Sequence, residues 1–226
     1  MIITVSQSAQ LNYYIKGGAC EYRGTVGKVS PFQEIVMHNG ETEFVGTYQF
    51  SKWVNYIPFR YCFGTPNLTK GFRLQKNGKN FGTVVFSQHG FMKSFYVIAL
   101  DSGGILHCYQ VAKGTSEYVC VYLEDQQIAL IETNLTVTDY IYTHTLYLLD
   151  EHSGFSDVLS WFALYYANFH FAKRAVTQEG ASLNLSINKG TVREECWTFS
   201  KYNCKYDPQW QEKYFPKESI FDKLKS

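Results

Sequence analysis

Hydrophobic and polar positions divide this chain into many short segments followed by one segment of a different kind. Before residue 150, short apolar and aromatic runs alternate with breaks rich in Gly, Asn and Asp. This pattern predicts short β-strands joined by tight turns. Four breaks have the composition of hairpin turns, in which Asn and Gly tolerate positive φ. They are HNGE at 38–41, KNGK at 76–79, DSGG at 101–104 and EDQQ at 124–127.

The strands predicted between these breaks are apolar on more than one side. In Lys93–Leu100, both the odd and the even positions after Ser94 are apolar. A sheet with one wet face alternates more cleanly. We therefore expect a sheet closed around a core element, with part of its outside also covered. The predicted strands are Leu11–Ile15, Glu21–Val29, Phe32–His38, Glu43–Phe50, Phe81–Phe86, Lys93–Leu100, Ile105–Val111, Glu117–Leu123, Gln127–Thr133 and Tyr140–Leu149.

The segment Phe155–Lys173 has the pattern of a helix that is apolar on almost every side. A helix of this kind has to be buried all round, and the preceding strands are available to bury it. Ser156 is the predicted N-cap, with Asp157 in the first turn. A membrane span needs about 20 consecutive apolar residues, whereas this run is shorter and contains Asn168 and His170. No transmembrane span is expected.

These patterns together predict a mainly β fold. It is a closed antiparallel β-barrel of about twelve strands around one central hydrophobic α-helix. Residues 1–174 form the barrel domain, with the central helix at 155–173. Residues 175–226 are more polar and charged, and they form a C-terminal extension that packs on the barrel because it is too short to hold its own core.

Charge and cysteine usage narrow the range of partners. The chain has 21 Lys and Arg against 20 Asp and Glu, without a block of like charges. A nucleic-acid partner is not expected, because such binding depends on clustered cations. The six cysteines form no CxxC pair or zinc-ligand spacing. The start of the chain lacks the basic region of a signal peptide, so we expect a cytoplasmic protein in which Cys108 and Cys120 are small buried hydrophobes.

Sequence motifs of catalysis are not found in this chain. It contains no GxSxG, HExxH, Walker loop or GxGxxG. None of its six histidines is paired at metal-ligand spacing, although His107 and His144 lie in strands and could meet across a barrel. Structural roles are favoured for both. We predict no catalytic residue, no metal site and no cofactor.

The hairpin series followed by one hydrophobic helix resembles the tubby C-terminal-like fold. The segments that carry the resemblance are GFRLQKNGKNFGTVVF, FYVIALDSGGILHCYQV, EYVCVYLEDQQIALIET, YIYTHTLYLLDEHSG and DVLSWFALYYANFHFAK. That superfamily includes the tubby proteins, the phospholipid scramblases and the plant LURP-one-related proteins. The resemblance covers about Leu11 to Ala172, and it implies a closed barrel around a central helix.

The resemblance also suggests where a ligand would bind. Tubby proteins bind phosphoinositide head groups through paired basic residues on the barrel surface. The nearest candidates in this chain are Arg73, Lys76 and Lys79, which straddle a hairpin turn and do not reproduce a Lys-x-Arg pair on one strand. Scramblases add a calcium-binding segment near the helix, but the acidic residues before this helix lack a loop of alternating oxygen ligands.

Three functions are compatible with these observations. The leading hypothesis is a non-enzymatic binding or scaffold domain that engages a lipid head group at a membrane surface or a protein partner. The second is an enzyme of unrecognised type with its site at a barrel mouth. The third is a lipocalin-like carrier of a small ligand, which is disfavoured because its apolar helix would have to lie outside the barrel, exposed to water.

Overall fold

The structure of the chain is a computed structural model. The structure describes residues 1–9, 12–18, 20–26, 34–49, 71–89, 93–113, 116–134, 136–137, 143–169, 176–179, 182–184 and 205–216.

Twelve antiparallel strands form a closed barrel. Neighbours in sequence pair as hairpins, and β1 closes the barrel by pairing with β13, where Ile3 lies opposite Leu146. The predicted barrel is confirmed, and β1 and β6 are the two barrel strands outside the predicted ranges. The barrel strands are β1 Ile2–Ala9, β2 Asn12–Gly17, β3 Cys20–Val26, β4 Glu34–His38, β5 Glu43–Gln49, β6 Gly71–Lys76, β7 Lys79–His89, β8 Lys93–Leu100, β9 Ile105–Lys113, β10 Ser116–Leu123, β11 Gln126–Asn134 and β13 Thr143–Leu148.

A small second sheet lies outside the barrel order. It contains β12 Thr136–Val137, β14 Val176–Glu179 and β15 Ser182–Asn184 in the order β12-β14-β15. The described residues form the helices α1 Ser156–Phe169, which follows a 3-10 turn at Asp150–Phe155, and α2 Pro208–Tyr214.

The four predicted hairpin turns are present. Asn77 and Gly78 have φ of 51° and 72°, so both central residues of the β6–β7 turn are left-handed, as a tight two-residue hairpin requires. In the β10–β11 hairpin the turn is Glu124–Asp125, with φ of 54° at Glu124. Both glutamines of EDQQ therefore belong to β11.

The helix α1 lies inside the barrel and is enclosed on all sides. Trp161, Phe162 and Leu164 are each 0% exposed, although they point in different directions around the helix, and Tyr165 is 8% exposed. Enclosure by the barrel explains why a helix without a polar face is stable here, and it confirms the predicted central helix. The side chain of Phe169, which was expected to be buried with these residues, lies outside the described part.

Two glycines on the inner face let the strands approach the helix. A Cβ at Gly24 would lie 2.7 Å from Leu164 Cδ1, and a Cβ at Gly46 would overlap the ring of Trp161. The Trp161 indole also donates a hydrogen bond of 3.0 Å from Nε1 to the backbone oxygen of Ile35. These contacts fix the rotation of the helix within the barrel.

The helix begins differently from the prediction. Ser156 has φ −55° and ψ −44°, so it already has helical backbone geometry and is not an N-cap. The chain instead enters α1 through the 3-10 turn, which the acidic, glycine-containing sequence DEHSGF forms directly after β13. Residues 170–173, predicted to continue the helix, lie outside the described residues.

A second hydrophobic cluster covers part of the outer surface. Trp210 of α2 packs on the outward-facing side chains of β9, β10 and β11, and its Nε1 donates to the backbone oxygen of Gln127 at 3.3 Å. Asp207 caps α2 by accepting a hydrogen bond from the backbone of Gln209. The outer contacts explain why these strands are apolar on both faces. The buried members of the cluster are Val111, Cys120, Leu130, Leu149 and Trp210.

The domain boundary predicted at residue 174 falls outside the described residues and stays a prediction.

Candidate functional site

The centre of the barrel is occupied by aromatic side chains. The ring of Phe72 lies 5.4 Å from that of Trp161 and 5.1 Å from that of Tyr165, and Tyr96 lies 5.4 Å from Phe162. These are edge-to-face contacts within the range favoured for aromatic pairs. A small ligand could enter this part of the interior only by displacing the helix.

The three cations suggested by the sequence do not form one site. Arg73 is exposed on the outer face of β6, whereas Lys76 follows the inward parity of Phe72 and Leu74. Lys79 is exposed and lies opposite Lys76 in the β6–β7 register. The fold therefore brings Lys76 and Lys79 to the same face at the barrel mouth, and it places Arg73 on the other face.

Lys76 is engaged by the central helix. Its Nζ lies 2.6 Å from Oδ2 of Asp157, in a pair whose lysine side chain is 38% exposed and whose aspartate side chain is 14% exposed. The hydroxyl of Tyr22 donates to the other carboxylate oxygen at 2.8 Å. Two barrel strands thus hold the first turn of α1. Sequence reasoning missed this contact because no local pattern links residues that lie 81 and 135 positions apart.

A buried polar row crosses the inner face near the other end of the helix. Glu117, Thr133 and His144 lie directly opposite one another on the neighbouring strands β10, β11 and β13. Thr133 Oγ1 is 2.6 Å from His144 Nδ1, and the hydroxyl of Tyr166 on α1 donates to the Glu117 carboxyl group. This row links the helix to the barrel wall by hydrogen bonds.

The burial of this row indicates a structural role. Glu117, Thr133 and His144 are each at most 1% exposed, and desolvation lowers the pKa of His144 to about 3. The imidazole is therefore neutral at neutral pH. Glu, His and Tyr are residue types used in acid–base catalysis, but a catalytic group needs contact with a substrate, and these side chains are sealed by the helix and the strands.

The two strand histidines do not meet. His107 lies on the outer face of β9, where its ring is 5.7 Å from that of Phe95, whereas His144 faces the interior. The suggestion that they could come together across the barrel is therefore wrong. Which face of each strand points inward depends on barrel closure, and strands that are apolar on both faces do not reveal it.

The two strand cysteines Cys108 and Cys120 are not activated. Cys108 and Cys120 are both free and fully buried, as expected. Burial raises the pKa of the Cys120 thiol to about 12 and that of Cys108 well above its ordinary value. Since the thiolate is the reactive form, neither side chain is a nucleophile.

One concave region of the surface lies on the outer faces of β2, β3 and β4; we name it the β2–β4 groove. Its volume is about 700 Å³. Tyr14, Arg23 and His38 lie opposite one another across the three strands, and Lys16 faces Glu21 in the next row. Tyr14 is 52% exposed. The groove offers mixed charges beside an exposed aromatic ring.

A second concave region lies between the β8–β9 turn and the β10–β11 turn; we name it the β9–β11 groove. Its volume is about 990 Å³, and its lining includes Ile105, His107, Glu124 and Asp125. Two carboxylates line this groove, and none of its described lining residues is Lys or Arg. Ile105 is 51% exposed, so the groove also offers one large aliphatic side chain.

Neither a cluster of metal-ligand residues nor a membrane-spanning helix is found in the described part of the chain. No group of three or more His, Cys, Asp and Glu side chains is arranged there to hold a metal ion. Its helices are too short or too polar to cross a membrane. Comparison of the chain with protein-family models, with curated proteins and with solved structures found no match.

Proposed function

We propose that this chain is a non-enzymatic binding or scaffold domain that contacts its partner with the outer surface of the barrel, and that the partner is a protein. The observation that carries the proposal is the occupation of the barrel by α1. Trp161 and Phe162 are fully buried, and glycine at position 46 leaves the helix in direct contact with the wall. A carrier of the lipocalin kind needs this space for its ligand.

The chemistry of the described residues also favours binding over catalysis. His144 is neutral and sealed, and Cys108 and Cys120 are held as thiols. Active sites instead combine perturbed groups with an accessible cleft. The alternative of an enzyme would place its catalytic groups at a barrel mouth. The described residues there offer the Lys76–Asp157 ion pair and the β9–β11 groove, whose carboxylates Glu124 and Asp125 are exposed to water.

Charge favours a protein over a membrane surface as the partner. The formal net charge is +1, Lys76 is neutralised by Asp157, and Arg73 faces away from Lys76 and Lys79. Binding to anionic lipids depends on several cations acting together near the surface. We further propose a tubby-like relationship, which the barrel around one hydrophobic helix supports. A cytoplasmic location is also proposed.

Photo-crosslinking tests the protein partner. A photoreactive amino acid at Ile105 or at Tyr14, which are 51% and 52% exposed, is expected to form discrete protein adducts in a lysate of the organism that carries the chain. Excess unlabelled wild-type protein should compete the adducts away. The proposal fails if neither position yields a competable protein adduct.

Liposome sedimentation tests the membrane alternative. We expect weak or no binding to vesicles of phosphatidylcholine and phosphatidylserine. Tight binding that weakens as salt rises, and that is lost when Arg73, Lys76 and Lys79 are all changed to Gln, would replace the protein partner by an anionic head group. Circular dichroism of the triple variant checks that it is folded.

A further inference from the structure

We propose that the β9–β11 groove binds a basic segment of the partner, in which a Lys or Arg side chain stands beside an apolar side chain. This inference rests on the proposed function, because it names the surface and the chemistry of the protein contact. Three features carry it: the charge of the groove, the exposed side chain of Ile105, and an aromatic strip beside the groove. We define the aromatic strip as His107, Tyr109 and Tyr122, and its two tyrosines already contact Lys205.

The rim of the groove is acidic. Glu124 and Asp125 form the β10–β11 turn and are both exposed, and Asp101 is exposed in the neighbouring β8–β9 turn. No Lys or Arg is found among the described residues that line the groove. Electrostatic complementarity therefore favours a cationic segment and opposes an anionic one.

The apolar part of the groove is Ile105, which projects from the start of β9. With 51% of its surface exposed, it lies within the same concavity as the turn carboxylates. A cation bound by the carboxylates alone would remain largely solvated and weakly held. An adjacent apolar side chain covering Ile105 would add burial and fix the position of the segment.

The aromatic strip beside the groove shows that this face accepts cations. Lys205 Nζ lies 4.9 Å above the ring of Tyr122 and 5.3 Å above that of Tyr109, within the range of cation–π attraction. The ring of His107 lies 6.3 Å from that of Tyr109 and also lines the groove. The strip thus runs from a bound lysine of this chain to the proposed site.

Side chains have to carry the recognition. Every strand of the barrel is paired on both sides, so a partner cannot add a strand to a free edge. A second copy of this chain is a poor occupant, because a symmetric contact through this face would bring two sets of Glu124 and Asp125 together.

Fluorescence anisotropy with a labelled peptide of alternating lysine and leucine tests the inference. The wild-type chain should bind this peptide and should not bind a matched peptide of alternating glutamate and leucine. The variant Glu124→Gln/Asp125→Asn should bind about fivefold to tenfold more weakly, as expected for the loss of two exposed ion pairs. Glu41→Gln/Glu43→Gln, which neutralises two exposed carboxylates around another hairpin turn, is the matched control and should bind like wild type.

Ile105→Ser separates the apolar contribution from the charge. It should weaken binding of the lysine–leucine peptide but leave binding of a lysine–serine peptide unchanged. The inference would be overturned if Glu124→Gln/Asp125→Asn and Glu41→Gln/Glu43→Gln weakened peptide binding equally. Equal binding of the acidic and basic peptides to the wild-type chain would also overturn it. So would a dimer of the chain, seen by analytical ultracentrifugation, that Ile105→Ser dissociates.

The peptide and crosslinking results distinguish the two levels of the proposal. Suppose that a photoreactive amino acid at position 105 captures a protein, but the lysine–leucine peptide binds wild type and Glu124→Gln/Asp125→Asn equally. The basic occupant is then wrong, and the protein-binding function stands. If neither Ile105 nor Tyr14 captures a protein, the proposed function fails together with the inference.

Discussion

The Trp161 ring occupies the space that a side chain at Gly46 would need. A Cβ at position 46 would overlap Cζ2 of the indole, and the indole cannot retreat because it is fully buried and donates to the backbone of Ile35. The helix and β5 are therefore in contact without an intervening side chain. The barrel wall leaves room for the indole at this position only because residue 46 is glycine.

Gly46→Ala is expected to destabilise the protein by about 1–3 kcal/mol, because the added methyl group overpacks the core. Chemical denaturation measures the change in the free energy of unfolding. Gly154→Ala is the control, since a Cβ at that position meets no atom within 4 Å, and it should unfold like wild type. Equal stability of the two variants would show that β5 and Trp161 are not in contact.

The pKa of His144 predicts a specific loss of stability in mild acid. Burial lowers its pKa from 6.5 to about 3 in the folded state, so the unfolded chain binds a proton that the folded chain does not. This contribution is complete above pH 6.5 and is lost as the pH falls from 6.5 toward 3. Between pH 7 and pH 5 it amounts to about 2 kcal/mol.

The measurement is urea unfolding at pH 7 and pH 5 for wild type, His144→Gln and His107→Gln. His144→Gln should lose about 2 kcal/mol less between the two pH values than wild type does, whatever its absolute stability. His107→Gln changes a histidine on the outer face and should keep the wild-type pH dependence. A His144→Gln protein with that same dependence would mean that the imidazole is solvated.

The contact between Lys76 and Asp157 is expected to hold the helix entry in place. Asp157→Asn should cost about 1–2 kcal/mol, because it removes a charged acceptor from both Lys76 and Tyr22. A double-mutant cycle with Lys76→Met should show non-additive losses. Glu151→Gln, in the exposed 3-10 turn, should have little effect. Strictly additive losses from Asp157→Asn and Lys76→Met would mean that the two groups do not interact.

Trp210 is expected to attach the C-terminal extension to the barrel. Trp210→Ala should leave a folded barrel but accelerate proteolysis around residues 205–216, because the side chain packs on Leu130 and Leu149 outside the barrel. Mass spectrometry should find a resistant fragment that ends near the predicted boundary at residue 174. Tyr214→Ala, on an exposed position of the same helix, should be cut like wild type. A loss of the whole fold in Trp210→Ala would contradict the division into barrel and extension.

Local sequence signals predicted most of this fold. Asn77-Gly78 specified a tight turn because both residues accept positive φ, and the continuous apolar run around Trp161 required burial on all sides. The strand β1 was not assigned, because its apolar run is short and its polar second half gives no turn signal. Its alternation becomes clear only once Ile3 and Val5 are seen to face the core.

The candidate sites were much less predictable. The pairing of Lys76 with Asp157 and the row of Glu117, Thr133 and His144 depend on which residues closure of the barrel brings to one level. Single-sequence patterns give the period of a strand, but they do not give the side that faces inward when both sides are apolar. The β9–β11 groove likewise arises from two turns that are adjacent only after β9 and β10 pair.

Equilibrium unfolding of Trp161→Ala tests the central helix most directly. The indole is 0% exposed at the centre of the barrel, whereas Tyr14 on the outer wall is 52% exposed, so Tyr14→Ala is the matched control. Trp161→Ala should lose about 3–5 kcal/mol from a typical total of about 5–15 kcal/mol, and Tyr14→Ala should stay within about 0.5 kcal/mol of wild type. If Trp161→Ala is too unstable to purify, Trp161→Phe should show a smaller loss of the same sign. Unfolding of Trp161→Ala at the same denaturant concentration as wild type would contradict a barrel built around this helix.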